Sequence, residues 1–301
     1  MTVSGASDVR MSTVTTTVII TGTGCPVPSA ERAGPGVLIR VDELAIQFDT
    51  GRSTVQRMAG AGLWPTDLDA VFLTHHHSDH VVGLADLILT RWVMDRTDDA
   101  EALPVVAPKG PTSGFAQRVL DGWEADIDVR RSHSGRRTSP TFDVEAFEVP
   151  MTPTEVWASD GVRVLSIGVR HEPVHGAVGY RIETPAGIVA ISGDTRVCDE
   201  VAMLAEGADV LVYEAMRFEP IQALPAHRRF ILDYHADTRL IGRQAAELGI
   251  ETLVLTHLLP VPETDTDKCA FAEDVRAAGF RGNVIVADDL ESVSLGRVDG
   301  A

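Results

Sequence analysis

Cysteine is scarce in this chain: Cys25, Cys198 and Cys269 are the only three in 301 residues, far apart and without Cys-x-x-Cys spacing. That argues against a disulfide framework and against an all-cysteine metal site. Aromatic residues make up only 5%. No stretch approaches about eighteen consecutive apolar residues, which excludes a transmembrane helix. No proline- or glycine-rich linker divides the chain and no segment recurs at a fixed period. The first twenty residues carry one arginine and no apolar run before a small-residue cleavage site. They therefore do not read as a secretion signal, and the cytoplasm is the expected compartment. Basic residues are also in short supply, 26 against 44 acidic ones, for a net charge of −18. A surface this acidic repels polyphosphate at long range, so a nucleic acid is a disfavoured partner unless a local basic patch escapes the sum.

What is present is a core-forming chain, 44% apolar, too rich in buried-type residues for disorder. Residues 1–14 are Ser/Thr/Val-rich without a clear period and read as a flexible N-terminal arm, leaving 15–301 as one domain. Short β-branched runs predict strands at 16–20, 36–41, 44–49, 70–74, 162–169, 177–183, 187–192, 209–214, 252–257 and 283–287. Amphipathic stretches predict helices at 53–61, 81–94, 111–121, 198–206, 236–249 and 267–278. Both halves run from strands into strand–helix alternation, which predicts an α/β fold of two similar β-plus-α layers packed face to face. Two segments read as excursions from that core: the polar 129–160, and 215–234, whose aromatic and basic residues suit a lid over a site.

The strand at 70–74 runs into His75-His76-His77-Ser78-Asp79-His80. Four imidazoles and a carboxylate in six residues, at the end of a strand, suit divalent metal ions. His75 and His77 alternate and so share one face of an extended segment. Asp79 and His80 turn toward a second point about 3.5–4 Å away, the usual separation in two-metal sites. His76 falls between them and is left out of the ligand set. A two-metal site needs further ligands, and His171, Asp194 and His257 each stand at the end of a predicted strand, Asp194 being suited to bridge.

This set of residues resembles the metallo-β-lactamase superfamily, in particular its ribonuclease Z-like and arylsulfatase-like branch. The similarity runs from TGTGCPVPSAERAGPG (21–36) through FDTG (48–51), THHHSDHVVGLADL (74–87), VRHEPVHGAVGYRI (169–182), SGDT (192–195) and LVYEA (211–215) to YHADTRLIGRQAAELGIETLVLTHLLP (234–260). It implies an αββα four-layer sandwich. It implies two divalent ions per chain, zinc first, with manganese or iron as alternatives. His75, His77 and His171 would hold one ion and Asp79, His80 and His257 the other, with Asp194 bridging. His235 falls where the branch keeps a catalytic histidine, and Glu214 where an acidic residue orients it; Asp79 is counted with them as catalytic. Relatives often dimerise, which makes a homodimer an expectation here.

The tRNA-processing members carry a protruding arm between the positions matching His171 and Asp194, where this chain has only about twenty residues, enough for a hairpin. Together with the acidic balance and the His171-Glu-Pro-Val spacing, that makes the leading expectation a zinc hydrolase of a small anionic or aryl ester. In that reading a hydroxide bridging the metals attacks a sulfate ester or phosphodiester, and His235 serves as general acid or as a donor to a non-bridging oxygen. The alternative is tRNA 3′-end processing by a ribonuclease Z, or a lactone, thioester or β-lactam hydrolase. An iron-dependent oxidoreductase and a non-catalytic binding protein stand further back. Cys25 reads as structural rather than nucleophilic, and His133 as a solvated loop residue. His175 and His227 are candidates to touch substrate, and Arg228, Arg229 and Phe230 to give the lid a cationic and aromatic face for an aryl anion.

Overall fold

A computed structural model describes residues 14–99 and 101–296; apart from Val14, the expected N-terminal arm lies outside them. Two seven-stranded sheets form the centre. The first contains β1 (Thr15–Gly22), β2 (Gly36–Val41), β3 (Leu44–Phe48), β4 (Ala70–Phe72), β5 (Leu103–Pro108) and β6 (Phe142–Phe147). The second contains β7 (Thr154–Ser159), β8 (Val162–Gly168), β9 (Val178–Thr184), β10 (Gly187–Ile191), β11 (Val210–Met216), β12 (Thr252–Leu259) and β13 (Asn283–Val286). The last strand, β14 (Ser292–Gly296), returns to pair antiparallel with β1 at the edge of the first sheet. Strand order is β14-β1-β2-β3-β4-β5-β6 in one sheet and β13-β12-β11-β10-β9-β8-β7 in the other.

Period-two alternation decides which face of each strand goes where. In β1, Val18 and Ile20 join a core shared by both sheets, together with Ile39, Ile46, Phe72, Tyr180, Ile182, Val212 and Val254. Ile19 points the other way and joins Leu38, Val71, Leu73 and Val105. That outer face is covered by α1 (Thr54–Gly60), the single turn α2 (Ser78–Val81), α3 (Leu84–Met94) and α4 (Pro111–Gln117). A further helix, α5 (Glu124–Ser134), has no buried residue. The outer face of the second sheet packs on α6 (Asp199–Ala205), α8 (Thr238–Glu247) and α9 (Asp265–Ala277). The result is the expected four-layer αββα sandwich.

Two expectations need correction. The segment 129–160 is no excursion: it ends α5 and then supplies β6 and β7, the outermost strands of the two sheets. Outer strands bury little, and in β6 no residue is fully buried, so the alternation that identifies an inner strand is weak there. The segment 215–234 leaves the core only after β11 ends at Met216, forming α7 (Phe218–Gln222) and a 3₁₀ helix over Ala226–Asp233. These pack through Ile221, Leu224, Ile231 and Leu232 on a small separate cluster with Cys25, Met216 and Leu259. Between His171 and Asp194 the chain forms the expected hairpin, β9 paired antiparallel with β10. No helix among the described residues is long and apolar enough to cross a membrane.

Candidate metal centre

Strand ends and short turns aim buried polar groups at one point. β4 ends at Phe72; Thr74 then accepts a backbone hydrogen bond from Val178 of the facing sheet, and His75, His76 and His77 follow in extended chain before α2 begins at Ser78. His171 lies in the turn between β8 and β9, and Asp194 follows β10. Gly193 before it has φ +62, and a Cβ there would stand 2.5 Å from the Val178 carbonyl oxygen, so glycine permits both the turn and the close approach. His257 is placed by a fault in a ladder. β11 and β12 pair in parallel with Glu214 opposite Thr256 and Ala215 opposite Leu258, so His257 is the unpaired extra residue. Its φ of +47 turns the ring inward, the behaviour of a bulge at a functional site.

The seven sequence-predicted ligands converge in two groups joined by one carboxylate. His75, His77, His171 and Asp194 can offer atoms to a common point, and so can Asp79, His80 and His257. Asp194 Oδ2 stands 3.3 Å from Nε2 of both His80 and His257, and 3.9 Å from Nε2 of both His75 and His171. Asp79 Oδ2 lies 3.4 Å from His257 Nε2 and 3.8 Å from His80 Nε2. His171 Nε2 and His77 Nδ1 are 3.3 Å apart, close to the roughly 3.4 Å edge of a tetrahedron with 2.1 Å metal–nitrogen bonds. His75 Nε2, His80 Nε2, His257 Nε2 and Asp79 Oδ2 are buried without a hydrogen-bond partner. Each such group left unpaired costs about 1–3 kcal/mol. Orphaned imidazole nitrogens and carboxylate oxygens turned toward one another are the donor set that divalent cations take, so the residues fit a pair of such ions. A third set, Asp194, His235 and His257, also lies close enough to share one ion, and His76 is in none of the three.

The outward-facing nitrogens of three of these histidines are held in turn, as metal-binding histidines usually are, whereas His257 Nδ1 is buried without a partner. His80 Nδ1 donates to Asp49 Oδ2 at 2.7 Å, and Asp49 also accepts from the backbone N–H and hydroxyl of Thr74. His75 Nδ1 pairs with the Thr74 hydroxyl at 3.0 Å, and His171 Nδ1 with the Tyr234 carbonyl oxygen at 3.1 Å. Beside them, His235 Nδ1 lies 2.9 Å from Glu214 Oε1, which also accepts from the backbone N–H groups of Thr195 and Ala236. The His235 ring is 5.4 Å from the rings of both His171 and His257, one from each group. Asp49 and Tyr234 are the residues the sequence reading missed. Both lie inside quoted motifs, FDTG and YHADT, but partners 31 and 63 residues away leave no local trace.

The electrostatics divide along the same line. Burial, helped by the neighbouring His80, lowers His75 well below the ordinary imidazole range. Burial and the adjacent His171 push His77 down to about 4, and burial lowers His171 despite Asp194. Burial also opposes charge on His80 and His257, yet the carboxylate of Asp194, with Asp49 and Asp79, raises both. Asp194 is held well below the usual carboxylate range against its burial, chiefly by His257 and His80. The Asp79 carboxyl is likewise lowered, burial being outweighed by the neighbouring imidazoles of His257 and His80.

Of the weaker candidates, Cys25 is buried in the small cluster with Met216 and Leu259, and desolvation pushes its thiol up to about 11. That suits the structural role expected of it. His133, His175 and His227 are exposed.

A model of the beta-lactamase superfamily domain matches residues 45–258. Ribonuclease Z of Mycobacterium bovis (strain BCG / Pasteur 1173P2) is 36% identical over 281 residues, covering 92% of this chain and 98% of the relative. Ribonuclease Z of Mycobacterium sp. (strain KMS) is 37% identical over 281 residues, covering 92% and 95%. Among solved structures, the metallo-beta-lactamase fold protein YhfI from Bacillus subtilis superposes with a TM-score of 0.70 at 20% identity, covering 93% of this chain and 99% of that one. Human tRNase Z, short form, gives 0.68 at 20% identity, again covering 93% and 99%; at such identity these two speak for the fold alone. The chain belongs to the metallo-β-lactamase superfamily and is a metal-dependent hydrolase acting on ester bonds. Within the superfamily it is ribonuclease Z-like.

Two expectations are overturned here. The arylsulfatase-like reading and its small ester substrate find no support beside relatives named Ribonuclease Z. The expectation that nucleic acid is disfavoured is contradicted by the same relatives. It rested on net charge, which sums over the surface and does not locate the charges, and on the missing arm. The relative pairs with this chain along nearly the whole of both, so the two are of near-equal length, although this chain has only the β9–β10 hairpin between His171 and Asp194.

Proposed function

We propose that this chain is a zinc-dependent endonuclease of the ribonuclease Z type, acting in the cytoplasm to cut the 3′ trailer from precursor tRNA. The observation that carries this reading is the 36% identity to a ribonuclease Z over almost the full length of both chains, joined to a two-group cluster bridged by one carboxylate. In this proposal His75, His77, His171 and Asp194 would hold one ion, and Asp79, His80 and His257 the other. When bound, the chemistry such a pair supplies is Lewis acidity and a lowered pKa for water.

The chain's own residues do the rest. Burial keeps His75, His77 and His171 neutral near pH 7, the form that ligates. Asp49 fixes the tautomer and ring angle of His80. Glu214, itself pinned by two backbone N–H groups, takes the proton side of His235 Nδ1. With Nδ1–H held by Glu214, Nε2 is the nitrogen that takes up a second proton, and the resulting imidazolium gives that Nε2 proton to the ribose oxygen leaving the scissile phosphorus, general acid catalysis worth about 10²–10⁴-fold.

The test is a precursor tRNA with a 3′ trailer incubated with metal-loaded protein, the products mapped at nucleotide resolution. A single cut at the trailer junction is expected. An uncut precursor, from protein that carries its metal and still hydrolyses an aryl phosphodiester, overturns the reading.

A further inference from the structure

The 3₁₀ segment Ala226–Asp233 leads directly into Tyr234 and His235. Its apolar residues divide sharply. Ile231 and Leu232 turn inward onto the cluster around Cys25 and Met216. Phe230 is left 58% exposed, although leaving a large apolar side chain in water forgoes about 1.5–3 kcal/mol. Its ring faces Tyr234 at 6.2 Å with a 41° tilt. Tyr234 in turn stands edge-on to His171 at 5.1 Å and lies 4.7 Å from His235. The three steps make a continuous aromatic path from solvent to a metal-group histidine. Arg228 beside it is exposed, and its guanidinium makes no hydrogen bond or ion pair among the described residues. The neighbouring Arg229 is used structurally, its Nε donating to the Leu224 carbonyl at 2.6 Å.

We propose that Phe230, with Tyr234 behind it, is the stacking platform for a base next to the scissile phosphate, and that Arg228 pairs with a phosphate of the same single strand. The inference rests on the ribonuclease reading and names how that site holds its RNA. An unpaired base presents a π-face of any identity, so aromatic rings bind single strands near a cut without reading sequence. A free guanidinium at the edge supplies the phosphate contact. In a chain of net charge −18, one exposed arginine two residues from Phe230 matters more than the total.

The experiment uses metal-loaded protein and precursor tRNAs carrying 2-aminopurine at successive positions around the trailer junction, followed by stopped-flow fluorescence and steady-state kinetics. Wild type quenches the fluorophore at one position before cleavage. Phe230→Ala abolishes that quench and raises KM about tenfold, within the range for losing one base–aromatic stack, while kcat changes less than threefold. Phe230→Trp restores both. Arg228→Ala lowers the steepness of log KM against log salt by about 0.7, as loss of one single-strand phosphate contact requires. Since Phe230 and Arg228 are exposed, neither substitution touches the core. If wild type cuts the precursor but Phe230→Ala keeps the quench and the KM, the platform is wrong and the ribonuclease reading stands. If wild type carries its metal and cuts no precursor, both fall.

Discussion

Asp194 Oδ2 is surrounded by four imidazole nitrogens within 3.9 Å, whereas His235 meets the cluster from the side and is tied to Glu214. The two residues should therefore fail differently. His235→Ala is expected to lower kcat about 10²–10⁴-fold with metal content near wild type. Asp194→Asn should lose metal and activity together. Metal analysis alongside kcat separates the two, and equal metal loss in both variants would remove the distinction. Cys25 gives a prediction in pH. Its thiol sits at about 11 when folded against roughly 8.5 when unfolded. Folding therefore retains a proton between those values, and the stability this contributes, complete below pH 8.5, is lost as pH rises to about 11. Urea unfolding at pH 8 and 10.5 should show a shallower alkaline loss for Cys25→Ala, and Cys25 should resist alkylation at pH 7 while exposed Cys269 reacts. A parallel loss in both proteins would contradict the buried thiol.

At the scale of elements, the ligand turn rests on two neighbouring loops. A Cβ on Gly51 would lie 2.3 Å from the Gly34 carbonyl carbon and 2.6 Å from the Asp79 carbonyl oxygen, all backbone that cannot rotate aside. Gly51→Ala is expected to cost about 1–3 kcal/mol of stability and to weaken metal retention by displacing Asp79. Gly122→Ala, where a Cβ meets nothing within 4 Å, is the control. Equal melting temperatures for the two variants would show that the loops are not packed as described. The same scale explains what the sequence made legible. Inner strands such as β2 and β10 carry continuous β-branched runs because both faces are buried. β5, with two prolines, and β6 and β7, at the sheet margins, lack that signal and are absent from the sequence expectations. The helix α5, with no buried face, has no apolar stripe to reveal it.

Across the whole molecule, the apolar core between the sheets and the metal cluster at their ends are separate sources of order. Stripping the metal with a chelator should abolish turnover while far-UV circular dichroism persists, because the core of Ile39, Ile46, Phe72, Tyr180 and Val212 needs no ion. Returning zinc at a hundredfold its Kd should recover about 2.7 kcal/mol, seen as a rise in Tm. Collapse of the dichroism on chelation would mean that the ions hold the sheets together.

The sequence by itself determined the layered α/β architecture and pointed to His75, His77, Asp79 and His80 as a candidate metal-binding turn, because period-two burial and the clustering of histidines at a strand end are local properties written in neighbouring residues. Only the tertiary structure decided that Asp49 holds His80 from thirty-one positions away, that a bulge aims His257 inward, and that Phe230 stands at the rim of the site. Those are relations between segments distant in the chain, and a sum such as net charge or a missing insertion cannot stand in for where side chains meet.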